Sequence, residues 1–96
     1  MSDGPKFESA WLKCKLAQSF KPSEAFVRVV GTGTPEPPSF YVAKSLVDPK
    51  PQAHHEIDGR VRVTLRHRQN GTSIVEVPGE PLSYGPKIEV PSNLVT

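Results

Sequence analysis

Between residues 60 and 66 the chain alternates without a break. Val61, Val63 and Leu65 interleave with Arg60, Arg62, Thr64 and Arg66. A period of two is the signature of a strand with one face on a core. The same spacing recurs at Leu12, Cys14 and Leu16, interleaved with Trp11, Lys13 and Lys15, and again at Val27 and Val29, Val75 and Val77, Phe40 and Val42, and Ile88 and Val90. No segment sustains a 3.6-residue apolar period, and 11 prolines punctuate the chain, which argues against long helices. The pattern predicts short strands joined by turns. Its inward set is Leu12, Cys14, Leu16, Val27, Val29, Phe40, Val42, Leu46, Val61, Val63, Leu65, Val75, Val77, Ile88, Val90 and Leu94.

One turn can be registered from face consistency. A two-residue Asn70-Gly71 loop sets Leu65 opposite Glu76 and turns a carboxylate to the core. A three-residue loop, Gln69-Asn70-Gly71, with Gly71 left-handed and a bulge at the turn, sets Leu65 opposite Val75 and Val63 opposite Val77. The second register is the expectation.

The strands repeat. Residues 24–47 and 72–95 align without a gap at an offset of 48 and agree at Val27/Val75, Val29/Val77, Gly31/Gly79, Pro38/Pro86, Val42/Val90, Leu46/Leu94 and Val47/Val95. Unrelated segments of that length agree at roughly one or two positions, given ordinary residue frequencies. Upstream, Leu12, Cys14 and Leu16 correspond to Val61, Val63 and Leu65 at an offset of 49. The expected fold is therefore all-β: a small six-stranded barrel or sandwich, built from two duplicated three-stranded halves about a pseudo-two-fold axis. In size and in its short strands it resembles the SH3-like small barrels. Residues 1–8 are expected to be a flexible tail, and 9–96 a single domain.

Composition narrows the function classes. At 96 residues there is room for one core, and no apolar run approaches the length of a membrane span. The polar Met1-Ser2-Asp3-Gly4-Pro5 start carries no signal-peptide pattern. A single cysteine excludes an internal disulfide and fits a reducing, cytoplasmic setting. The net charge of +2 is too mild to imply a polyanionic partner by itself. No nucleophile elbow, phosphate-binding loop or carboxylate pair is present, so no catalytic residue, cofactor or small-molecule substrate is assigned. The Gly31-Thr32-Gly33-Thr34 run enters Pro35-Glu36-Pro37-Pro38, which prevents a helix from following it. His54, His55 and His67 lack metal-ligand spacing, and no metal is expected. Cys14 falls among inward positions and reads as a small core residue.

Two constellations remain. Arg60, Arg62, Arg66 and Arg68 stand at alternate positions, a spacing at which guanidinium forks can meet successive phosphates. They also suit a solvated face that deters edge pairing, partly neutralised by Glu56, Asp58 and Glu76, and a single basic strand in a near-neutral chain favours that plainer reading. Trp11, Phe26 and Tyr41, interleaved with Lys13, Lys15 and Arg28, form the second. Aromatics beside cations stack single-stranded bases, but they also anchor protein interfaces, and Trp11 could simply seal one end of the barrel. The reading is a non-enzymatic binding module. Nucleic acid is the first expectation for its partner, and a protein or a second copy of the chain is the alternative.

Overall fold

A computed structural model describes residues 8–78, 80–81 and 87–96, the pair 80–81 as backbone alone. The strands are β1 (Glu8–Gln18), β2 (Glu24–Arg28), β3 (Ser39–Ala43), β4 (Val47–Asp48), β5 (Ile57–Gln69), β6 (Thr72–Glu76), β7 (Glu80–Pro81) and β8 (Lys87–Pro91). Single 3₁₀ turns, Lys44–Leu46 and Ser92–Leu94, follow β3 and β8. Among the described residues there is no α-helix, and none long and apolar enough to cross a membrane. The fold is all-β, as the period-two pattern predicts.

All the strands belong to one antiparallel sheet in the order β7-β3-β2-β1-β5-β6-β8, with β4 also on β5, and the sheet curls into a half-barrel. Eight strands replace the expected six because β4 and β7, two residues each, are too short to show a period. Glu8, assigned to the tail, instead opens β1 opposite Leu65. Residues 1–7 of that tail, and the repeat positions Gly79 and Pro86, lie outside the described residues.

β1 and β5 are the two long strands and pair with each other along the middle, with Leu12 opposite Val61. Each then passes to a shorter partner: Leu16 lies opposite Val27 on β2, and Leu65 opposite Val75 on β6. The concave side carries the core, in which Leu12, Leu16, Val27, Val29, Val61 and Val75 are fully buried. Every expected inward residue is buried except Leu46 and Leu94, which pack half-exposed against the edge of the cluster. Cys14 lies in this core, and burial pushes its thiol up to about 12. No buried side-chain nitrogen or oxygen among the described residues lacks a partner.

Position 59 shows how tightly the layers meet. Gly59 lies opposite Cys14, and a Cβ there would stand 2.4 Å from Leu16 Cδ1 and 2.9 Å from the Asp48 carbonyl oxygen. Only a residue without a side chain lets β4 approach β5 at this point.

The β5–β6 turn partly corrects the expectation. Leu65 does lie opposite Val75, and Gly71 is left-handed at φ 77°. The loop, however, is Asn70-Gly71 alone, closed by Gln69 opposite Thr72. The extra residue sits upstream, where the register shifts between Leu65 and His67. The bulge thus falls at Arg66 rather than at the turn, which satisfies face consistency equally well.

Candidate binding surface

Side chains on the convex face of β1 and β5 follow from the register. Trp11 neighbours Arg62, Lys13 neighbours Arg60, and Lys15 neighbours Asp58. β2 continues the rows with Arg28 beside Lys15, and β3 with Tyr41 beside Phe26. The expected residues Trp11, Lys13, Lys15, Phe26, Arg28, Tyr41, Arg60 and Arg62 therefore do share one face.

The expected row of four arginines does not persist. The bulge at Arg66 inverts the alternation beyond it, so His67 faces Ile74 on the convex side while Arg68 faces buried Ser73. Arg68 belongs to the other side of the ribbon. Arg66 reaches back to Glu76, with Nη1 donating to Oε1 at 2.8 Å.

Most cations on this face are matched by carboxylates. Arg28 forks onto Glu56, with Nη2 and Nε donating at 2.5 and 2.6 Å. Those hydrogen bonds hold the Glu56 carboxyl below its ordinary value and raise the Arg28 guanidinium. Lys15 pairs with Asp58 across the β1–β5 seam, and that hydrogen bond lowers the Asp58 carboxyl. Arg60 donates to Asp48 Oδ2 from Nη2 at 2.9 Å and from Nε at 3.2 Å. The pairs are solvent-exposed, and pairs of that kind contribute about 0–1 kcal/mol each to stability. Their larger effect is on the surface potential, which alternates in sign over short distances. Among the described residues, Lys13, Arg62 and Arg68 hold no carboxylate at ion-pair distance.

Trp11 is the centre of the surface. The guanidinium carbons of Arg60 and Arg62 both lie 4.4 Å from its ring centroid, in cation–π contact. Arg62 is steadied further by donating from Nη1 to Ser9 Oγ at 3.1 Å, and Arg60 by Asp48. Backbone bonds from Trp11 N to the Thr96 oxygen at 3.0 Å, and from Thr96 N to the Trp11 oxygen at 2.9 Å, fix the strand beneath the ring. Phe26 and Tyr41 form a separate aromatic pair, with centroids 5.2 Å apart and planes at 57°. They are half-buried, and Phe26 lies opposite Ala17, a buried residue on the convex side and outside the alternating core set. Beside Trp11 an open depression of about 340 Å³ is lined by Lys13, Asp48, Asp58, Gly59, Arg60 and Thr96, again with both signs of charge.

Phe20 carries a feature that the pattern of faces missed. It sits in the connection between β1 and β2 and is 95% exposed. The turn beneath it is tied down by Gln18, whose Nε2 donates to the carbonyls of Ser19 at 2.8 Å and Lys21 at 3.1 Å. His54 Nδ1 donates to the Gln18 oxygen at 2.9 Å, and its ring lies 6.1 Å from that of Phe20. The signal available in sequence was one aromatic residue inside the turn-forming run Ser19-Phe20-Lys21-Pro22-Ser23. Among the described residues, no group of three His, Cys, Asp or Glu side chains converges as a metal site would require.

No protein-family model matches the sequence, and no curated protein and no solved structure matches it.

Proposed function

We propose that the protein is a non-enzymatic binding module whose convex face, centred on Trp11, contacts another protein, in the simplest case a second copy of the chain. The observation that carries this reading is the matching of Lys15, Arg28, Arg60 and Arg66 with Asp58, Glu56, Asp48 and Glu76. A polyanion would meet a carboxylate beside four of the seven candidate cations, which reduces the counterion-release gain that drives such binding. A protein surface of mixed sign can complement the same array, and an aromatic ring clamped by arginines is typical of an interface anchor.

Nucleic acid, first on the sequence pattern alone, becomes the second reading. Lys13 and Arg62 beside Trp11 are what favours it. A base that stacked on the indole would compete with the guanidinium groups already there.

Sedimentation velocity over a concentration series tests the proposal. The wild-type chain is expected to associate, and Trp11→Ala to remain monomeric. A monomeric wild type that binds a short single-stranded oligonucleotide, with log K falling against log salt at a slope of about −2 to −3, overturns it in favour of the second reading. A monomer that binds no oligonucleotide overturns both self-association and the second reading. Trp11 is the sole tryptophan, so its fluorescence reports on either event.

We also infer an internal duplication, with a pseudo-two-fold axis through the β1–β5 seam beside Leu12 and Val61. Equivalent pairings support it. Leu16 opposite Val27 matches Leu65 opposite Val75, and Val27 opposite Phe40 matches Val75 opposite Ile88. Lys44 N donates to the Ser23 oxygen at 2.8 Å, as Ser92 N does to that of Gly71 at 2.9 Å. After each 3₁₀ turn the chain crosses to the opposite half: Val47 pairs with Val61, and Val95 bridges Leu12. Superposing residues 24–47 on 72–95 in a crystal structure is expected to need a rotation near a half-turn, and a different strand course in either segment refutes the duplication. The buried lone thiol of Cys14 supports a reducing, cytoplasmic setting.

A further inference from the structure

β8 is an end strand of the sheet, and among the described residues nothing pairs with its second edge. The direction of its backbone groups follows from one hydrogen bond. Ser92 N donates to the Gly71 oxygen at 2.9 Å, so these two residues form a hydrogen-bonded pair. Antiparallel pairing alternates, which turns Val90 and Ile88 toward β6 and leaves Lys87, Glu89 and Pro91 facing outward. Pro91, with no N–H to offer, occupies an outward position as expected of an edge. Lys87 and Glu89 thus present two N–H and two C=O groups in a row.

The corresponding edge on the other side of the sheet is covered. There β7 lies along β3, with Glu80 opposite Tyr41 and Pro81 opposite Phe40. Beside β8 lies a groove of about 450 Å³ that runs along Lys87–Pro91, reaches Gly71 and Thr72 at the start of β6 past Pro91, and is walled on its far side by Thr32, Thr34 and Pro38. The fold places a strand on one such edge and leaves room on the other.

We propose that this groove docks an extended segment of a partner protein, which adds antiparallel to β8 as the next strand. The partner's chemistry follows from cross-strand pairing, in which opposite charges attract and like charges repel. Read from its N-terminus, the segment places a basic residue opposite Glu89, an apolar residue opposite Ile88 and an acidic residue opposite Lys87. The apolar residue falls on the core side, where Ile88 and Val90 are buried. Lys87 and Glu89 are exposed on the other side, open to the charged pair. The site is independent of the Trp11 surface, and Trp11→Ala leaves it intact.

The probe is a blocked peptide, Thr-Val-Lys-Val-Glu-Val-Thr, titrated into the ¹⁵N-labelled full chain, with a control in which Lys and Glu exchange places. The expected result is shifts and slowed hydrogen exchange at the amides of Lys87 and Glu89, with the control bound at least about fourfold more weakly. The double variant Lys87→Glu/Glu89→Lys alters only exposed side chains, and it is expected to reverse the preference. Methylation of the backbone nitrogen of the peptide's lysine removes a ladder hydrogen bond and should weaken binding about tenfold. Shifts confined to other residues, or equal affinity of both peptides for both proteins, overturn the proposal.

Discussion

Gly59→Ala offers a perturbation whose cost can be worked from distances. Gly59 is not in the left-handed region, so alanine meets no backbone strain there and the effect is purely steric. The added methyl would lie 2.4 Å from Leu16 Cδ1, 3.1 Å from Leu16 Cγ and 2.9 Å from the Asp48 carbonyl oxygen. Leu16 is fully buried and has no room to swing aside, and a carbonyl in a strand moves only with its backbone. Overpacking of this kind costs about 1–3 kcal/mol. With two contacts under 3.0 Å the upper half of that range applies. Alanine recovers about 0.4–1 kcal/mol by restricting the unfolded chain, for a net loss of about 2 kcal/mol. For a domain of this size that lowers Tm by roughly 8–16 °C. Thermal unfolding followed by far-UV circular dichroism measures it. A second variant, Leu16→Val, removes the closest atom at a cost of about 1 kcal/mol. Combined with Gly59→Ala it should destabilise by less than the sum, with a coupling of about 1 kcal/mol. A Gly59→Ala protein as stable as wild type would refute the close packing of β1 and β4 against β5 at Gly59, and strict additivity in the cycle would refute the Leu16 part of it.

Gly71→Val tests the opposite situation, open space with φ 77°, and should cost roughly 1 kcal/mol or more, largely recovered in Gly71→Asn; equal melting of all three proteins would refute the left-handed turn. The Glu56 and Asp58 carboxyls both lie below their ordinary values, so their contribution is full above the ordinary carboxylate range and disappears as pH falls through the folded values. Melting at pH 7 and at pH 2.5 should therefore differ less in Glu56→Gln/Asp58→Asn than in wild type, and an unchanged difference would exclude these two pairs. Cys14, buried and raised to about 12, should react with a thiol reagent only after unfolding in guanidinium; fast reaction in buffer would place it outside the core.

The faces of the strands were legible in the sequence because burial on one side forces a period of two. That single rule assigns Leu12, Cys14, Leu16, Val27, Phe40 and Val90 inward, and Trp11, Lys13 and Arg62 outward. It also pairs Leu65 with Val75. It cannot locate a bulge, because an extra residue at the turn or at Arg66 restores the same faces, and the error carried Arg68 onto the wrong side. The candidate surface was legible as a set of residues but not in its electrostatics. Arg28 meets Glu56, and Lys15 meets Asp58, only after β5 has folded back against β1. Short strands such as β4 and β7 arise from tertiary closure and leave no local pattern to read.

The crossing of each terminal segment onto the other half, Val47 onto β5 and Val95 onto β1, has a consequence for assembly. Neither half completes its own sheet, so each is a template that only its counterpart can finish. Nothing in those pairings requires the counterpart to belong to the same molecule. What keeps them together is residues 49–56, which span the return from β4 to β5. Shortening that span by deleting residues 50–53 would deny β5 its place within the chain while leaving every strand-to-strand pairing available between chains, at the loss of the hydrogen bond from Gln18 N to the Ala53 oxygen. The product is an exchanged dimer with the same strand pairings, favoured as protein concentration rises.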